Sequence, residues 1–249
     1  MTLRWYCFGG FRVEDDGREL DLGAIRPRSR TLLRYLAAAA GPVHREQIID
    51  ALWPETAGTT AVNSLHVAVS TLRTFLEPGV ARGASRYIVR NGPTYRLVTS
   101  SASDVEEFGA AYRAGRHAMP ADRATAIRSF QAALRCYTGD LLPEDGPADW
   151  VVAERERYRA QAADAAAMLA ELELEGERPM AAVRAARQAL DLDDHHDAGW
   201  RLLIAAQVRV GDPAAAERTR RQYQRVLHTL GVPLQAVLGS APGSILRVA

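Results

Sequence analysis

Between Pro42 and Leu97 the chain passes through two helical patterns and a hairpin pattern, and that order narrows the choice of fold. Val43–Trp53 is short and amphipathic, with Ile48, Ile49, Leu52 and Trp53 on one face, and Pro54 stops it. Gly58 lies in the turn 55–59, and Thr59 or Thr60 is placed to cap the next helix. In Thr60–Leu76, Leu65, Val69, Leu72 and Leu76 recur at i, i+4, i+7 and i+11, a single stripe that must be buried. Pro78-Gly79 ends that helix. Tyr87–Arg90 and Thr94–Leu97 then read as two strands about Asn91-Gly92-Pro93, with a protruding tip.

The residues before Pro42 fit the same design. Leu3, Trp5, Phe8, Phe11 and Val13 supply the apolar side of a small antiparallel sheet over 3–22, with Asp15-Asp16-Gly17 as a turn and Arg18–Leu22 returning as a strand. Pro27 suits a first helical turn, and Leu32, Leu33, Leu36 and Ala40 come after it at helical spacing until Gly41-Pro42. Sheet, three helices and a hairpin make the layout of a winged helix-turn-helix, whose reading helix lies in a DNA major groove.

The face of Thr60–Leu76 opposite the apolar stripe holds Asn63, Val67, Ser70 and Thr74, flanked by His66, Thr71 and Arg73. Asn pairs bidentately with adenine, Arg reaches guanine or a phosphate, Ser and Thr bond to either, and a valine packs on a thymine methyl. At the hairpin tip, Arg90-Asn91-Gly92-Pro93-Thr94, either Arg90 or Arg96 is placed for a minor groove or phosphates, Arg90 ahead of Arg96. The plainer account of each is a solvated helix face and a surface turn, and the flanking context favours DNA. Arg26, Arg28 and Arg30 fit phosphate contacts and a solvated basic run equally well.

From Asp104 onward the pattern is helical and alanine-rich, with helices expected near 104–118, 121–137, 147–175, 178–191, 196–210 and 213–230. The 35 residues from His196 to Leu230 form a helix, a Gly211-Asp212 turn and a helix, the layout of a tetratricopeptide unit. Such stacked hairpins present surfaces for protein or peptide. The polar joint Thr99–Ser103 marks a boundary between domains at 1–98 and 104–249. The expected fold is mainly α with a small β component: an N-terminal winged helix-turn-helix followed by an all-α, TPR-like helical-repeat domain.

Composition removes several alternatives. All 31 basic residues are arginine, which excludes a P-loop or a catalytic lysine. Residues 1–98 hold 13 Arg against 9 acids and residues 99–249 hold 18 against 21, a sign asymmetry that suits a DNA-facing front and a protein-facing back. Cys7 and Cys136 match no metal or redox spacing and read as small buried hydrophobes. His195-His196 lack a converging ligand set, and Asp140, Glu144, Asp145 and Asp149 fall in a turn that reads as a solvated loop. The basic run Glu217–Arg225 fits a solvated helix face better than a contact surface. With no nucleophile elbow, zinc-protease or dinucleotide pattern, the chain is not expected to be an enzyme, and no cofactor or metal is expected. No apolar run approaches the ~20 residues of a membrane span, and there is no signal-peptide core, so a cytoplasmic, nucleoid-associated protein is expected.

Several strings resemble a known family. Arg45–Trp53 and Leu65–Leu76 are similar to the core of the OmpR-type winged-helix domain. Tyr137–Leu142, Trp150, Glu154-Arg155, Ala189–Asp193 and Leu227–Val232 resemble the bacterial transcriptional activator domain. Together they cover about nine-tenths of the chain in the order of the SARP family, activators of antibiotic and other secondary-metabolite gene clusters. The resemblance implies binding to direct repeats of double-stranded DNA upstream of promoters, as a homodimer or higher assembly. It further implies recruitment of RNA polymerase, including its sigma factor. By position it makes Asn63, His66, Val67, Ser70, Thr71, Arg73 and Thr74 the groove readers, and Arg90 and Asn91 the wing. Three departures stand out: Ser70 and Thr71 replace common arginines, His44 stands where a capping Ser is usual, and Val232–Ala249 lacks the usual closing helix. A competing reading is a helical-repeat interaction scaffold whose winged helix docks protein and does not read DNA.

Overall fold

A computed structural model describes residues 3–39, 41–81, 83–98 and 103–232. The Val232–Ala249 departure therefore falls almost wholly outside the described residues, as does most of the joint at 99–103. Among the described residues there are two three-stranded antiparallel sheets. The first has the order β1 (Leu3–Tyr6), β2 (Arg12–Asp15), β3 (Arg18–Glu19), with Trp5 opposite Val13. β3 is shorter than expected, because Leu22–Ala24 turns into a 3-10 helix capped by Asp21.

α1 (Pro27–Ala38) comes next, then β4 (Val43–His44), α2 (Arg45–Leu52) and α3 (Gly58–Leu76). The hairpin is β5 (Ile88–Asn91) and β6 (Thr94–Leu97). Val43 and His44 pair with Tyr95 and Thr94, so the second sheet runs β4-β6-β5 and the first two residues of the expected helix are strand. α2 starts after them because His44 caps it. The His44 imidazole accepts the Glu46 N–H, and the Gln47 side chain accepts the His44 N–H, a capping box built on histidine instead of serine. The apolar stripe of α3 is buried, with Leu65, Leu72 and Leu76 at 0% exposure. α3 packs against α1, α2 and β5, and Leu32, Leu33, Leu36, Ile48, Leu52, Ile88 and Tyr95 are likewise buried in this region. The start of α3 differs from expectation: Ala57 is its N-cap and no side chain caps it.

The described residues of the second region form six α-helices, α4 (Asp104–Ala118), α5 (Arg123–Cys136), α6 (Asp149–Glu175), α7 (Pro179–Leu192), α8 (Asp197–Val210) and α9 (Pro213–Thr229), with a 3-10 turn at Pro143–Asp145. Ser103 and Glu106 form the capping box of α4. α7 packs on α8 and α8 on α9, as TPR-like hairpins do. Trp200 stacks on Tyr223 at 5.9 Å, with Leu227 beside them. Gly211, at φ +84°, closes α8 in the left-handed conformation that glycine takes without strain.

Contacts divide the chain into two compact units, and their border is not the joint at 99–103. One unit is Met1–Ala114 with Ala132–Arg159, and the other is Gly115–Gln131 with Ala160–Ala249. The first unit thus joins the winged-helix region to the start of α4, the end of α5 and the start of α6. The segment 137–146 does much of the joining. Phe8 bridges Leu141, Gly9 N–H donates to the Asp140 carbonyl, and Thr138 Oγ1 donates to the Phe8 carbonyl. Glu144 accepts the Phe11 N–H at 2.6 Å, and Asp145, its side chain 4% exposed, takes Arg34 in a bidentate pair at 2.6 Å. The expectation of a solvated loop at Asp140, Glu144, Asp145 and Asp149 holds in part: Glu144 and Asp149 are exposed, but the Asp145 side chain is buried against Arg34. Glu144 and Asp145 hold groups more than a hundred residues earlier.

Candidate nucleic-acid interface

A helix that buries Leu65, Val69, Leu72 and Leu76 must turn the residues between them outward. Asn63, His66, Val67, Ser70 and Thr74 are exposed, and Thr71 is half-buried. Val67 is 56% exposed, a large apolar side chain turned mostly to solvent. Thr71 Oγ1 donates to the Val67 carbonyl at 3.0 Å, and Thr74 Oγ1 to the Ser70 carbonyl at 3.1 Å. Each hydroxyl proton is thus spent inside the helix. What these two threonines offer outward is an acceptor oxygen and a methyl, suited to exocyclic amino groups and thymine methyls. His66, Val67, Ser70, Thr71 and Thr74, with Ala24, Ile25 and Phe75, line one open groove.

The wing is a two-residue hairpin. Asn91 pairs with Thr94, and Gly92 takes φ +57° at the first loop position, which in such tight loops falls to glycine. Arg90 is exposed, and its Nε donates to the Gly92 carbonyl at 2.9 Å. Its guanidinium lies 5.8 Å from the Tyr95 ring centre. The long side chain is thereby held along the hairpin, with its terminal nitrogens left for a ligand. Asn91 and Arg96 are exposed as well. The loop of the wing is tied to the start of α2, where the Arg45 N–H donates to the Pro93 carbonyl at 2.9 Å.

Arg73 is placed otherwise than the sequence suggests. Its Nε and Nη2 donate to the Ile88 carbonyl at 3.0 and 2.7 Å, so its guanidinium lies against the wing strand and not at the outer face of α3. One turn on, Glu77 is 4% exposed. It accepts the Ser85 hydroxyl, the Arg86 N–H at 3.0 Å and the Tyr87 N–H at 3.4 Å. Burial alone would raise its pKa; the hydrogen bonds from Ser85, Arg86 and Tyr87 outweigh that and hold it below the usual glutamate value. Sequence reasoning missed Glu77, although a lone acid at the end of a reading helix, eight residues before a serine, was the available signal. Among the early arginines, Arg28 donates to the Leu52 carbonyl at 3.0 Å and so braces α1 against α2.

The remaining polar clusters have structural explanations. His196 caps α8 by accepting the Gly199 N–H, and its other nitrogen meets Asp164 at 3.1 Å. Asp193, Asp194 and His195 bring ligand atoms within 4.8 Å of one another on an open loop, one donor fewer than a closed tetrahedral site needs. Burial pushes the Cys7 thiol well above its ordinary pKa, so it is inert as a nucleophile. Among the described residues no helix is long and apolar enough to cross a membrane.

Comparison with known proteins finds two family models that match the chain in succession. Residues 19–97 match the model of the transcriptional regulatory protein, C-terminal domain, and residues 103–246 match the bacterial transcriptional activator domain. No curated protein matches the chain. Among solved structures, Mycobacterium tuberculosis EmbR in complex with a low affinity phosphopeptide is similar with a TM-score of 0.81 and 25% identity, over 98% of this chain and 67% of that one. With more than half of its length in the second match, the chain belongs to the bacterial transcriptional activator domain family and has the SARP architecture, in which an OmpR-type winged helix precedes that domain.

Proposed function

We propose that this protein is a sequence-specific DNA-binding transcriptional activator. It binds direct repeats upstream of promoters as two or more protomers, and recruits RNA polymerase through its sigma factor and other subunits. By its SARP architecture its targets are genes of a secondary-metabolite cluster, and it works in the cytoplasm on the nucleoid. No catalytic step is assigned to it.

The observation that carries this reading is the uncovered face of α3. An exposed valine, an exposed asparagine and short hydroxyl side chains let the backbone approach the floor of a groove, and they match the base edges found there. Asn63, His66, Val67, Ser70, Thr71 and Thr74 are the groove-reading set, and Arg90 and Asn91 are the wing contacts. Arg73 acts through its hold on Ile88. Because α3 is poor in arginine, phosphate contacts supply little of its affinity, and salt dependence is shallow for a DNA binder.

The test has two steps: selection of bound duplexes from random DNA, then run-off transcription with purified holoenzyme from a template bearing the selected site upstream of a promoter. Increased transcript supports the activator reading. Enrichment without increased transcript removes the polymerase part of it. No enrichment removes the DNA-reading part and favours a winged helix that docks protein.

A further inference from the structure

We propose that Arg73 and Glu77 are positioning residues that fix the wing at one distance from the reading helix, so that groove reading by α3 and contact by Arg90 occur together. The inference rests on the DNA-reading function proposed above. Arg73 and Glu77 are four residues apart and so share one face of α3, the face turned to the hairpin. They carry opposite charges and take opposite kinds of backbone group. Arg73 donates twice to the Ile88 carbonyl, and Glu77 accepts the Arg86 and Tyr87 N–H groups and the Ser85 hydroxyl. Four consecutive residues, Ser85 to Ile88, are thereby held from the end of α3, the last of them the first residue of the strand that carries Arg90.

The sequence connection alone would not do this. Between Leu76 and Ile88 the chain includes Pro78, Gly79 and Gly83, with Gly79 at φ +82° and Gly83 at φ +87°. Val80, Ala81 and Ala84 of this connection are exposed. The described residues of the connection are thus mostly exposed and include two glycines in the left-handed region. The side chains of Arg73 and Glu77 set the direction of the hairpin, together with the pairing of β6 with β4.

The experiment is a double-mutant cycle on the full chain with the selected duplex, using Arg73→Ala, Arg90→Ala and both together, read as Kd and as a hydroxyl-radical footprint. Positioning predicts that Arg73→Ala weakens binding roughly tenfold, erases the wing footprint and leaves the α3 footprint. The double variant then binds no more than about twofold worse than Arg73→Ala alone, because the wing is already out of place. Arg73→Lys, which still offers a donor to Ile88, restores the wing footprint. Independent, multiplying losses from the two substitutions overturn the proposal and make Arg73 a DNA contact in its own right. A second readout needs no DNA. In the free protein, Arg73→Ala and Glu77→Gln should each speed amide exchange across Ser85–Asn91 at least tenfold while exchange in α1 and α2 stays unchanged. Unchanged exchange across Ser85–Asn91 overturns the proposal even if no specific duplex is ever selected.

Discussion

The Asp104 carboxylate accepts the Cys7 N–H at 2.8 Å, across 97 residues. The same carboxylate accepts the N–H groups of Phe8 and Val105, each at 2.9 Å. It is 5% exposed, at the first position of α4, where a negative charge also suits the helix dipole. The chain just past β1 has no strand partner for these N–H groups, and a side chain from the second family domain satisfies them. Around this point Phe8 meets Phe108, Tyr137 and Tyr158 with ring centres 4.9–5.6 Å apart.

Asp104→Ala leaves two buried N–H groups beyond β1 without an acceptor. We expect it to lower unfolding stability by about 3 kcal/mol and the melting temperature by roughly 6–12 °C, as read by calorimetry. A loss below about 1 kcal/mol would show that water replaces the carboxylate and that the joint is looser than described.

Gly9 sits at φ +70°, and a Cβ there would lie 2.9 Å from Thr138 Oγ1 and 3.1 Å from the Thr138 carbonyl. Gly9→Ala should therefore cost about 2–3 kcal/mol, from the left-handed backbone and from the contact together. Gly17, at φ +82° with open space around it, carries only the conformational part. Gly17→Ala should cost about 1 kcal/mol. Equal losses in urea unfolding would remove the close approach of 138–139 to Gly9 as a cause.

Glu77 gives the stability a defined pH dependence. Its folded pKa lies below its unfolded value, which is about 4.3. Below both values the two states bind the same proton, and the contribution is nil. Between them the unfolded state binds more, so stability rises with pH and is fully present above the unfolded value. Stability is then lost as pH falls from about 4.3 through the folded pKa. Glu77→Gln should remove this part of the acid slope and lower stability at pH 7 by about 1–3 kcal/mol. An acid slope identical in wild type and variant, measured by urea unfolding from pH 3 to 7, would contradict it.

The interface residues divide by what they read. Asn63→Ala and Val67→Ala are surface changes, so stability should move by less than about 0.5 kcal/mol, while affinity for the selected duplex falls by about 1–3 kcal/mol. Specificity at one base step should relax and the salt slope should stay the same. Arg90→Ala should instead weaken binding to all duplexes and reduce the salt slope by about 1. Fluorescence anisotropy across a salt series separates the two patterns, and a changed slope for Asn63→Ala would refute the assignment.

Periodicity made the α3 stripe legible, because burial of Leu65, Val69, Leu72 and Leu76 depends only on spacing within one helix. The hairpin was legible from Gly92 and the strands on either side of it. What sequence did not disclose are bonds between distant residues. Asp104 looked like one residue of a helix start, Glu144 and Asp145 looked like a solvated turn, and Arg73 looked free to reach DNA. Each has its partner well away in sequence, and composition near the residue carries no trace of that partner. His44 shows the converse. Its place before α2 marked a missing serine, yet an imidazole nitrogen does the same capping work.

Selection of bound duplexes from random DNA at near-physiological salt asks whether the outer face of α3 reads DNA. Enriched direct repeats spaced about one helical turn apart are expected, as side-by-side protomers on one face of the duplex require. No enrichment, with binding that vanishes as salt rises, would contradict that reading and leave only non-specific electrostatic attraction.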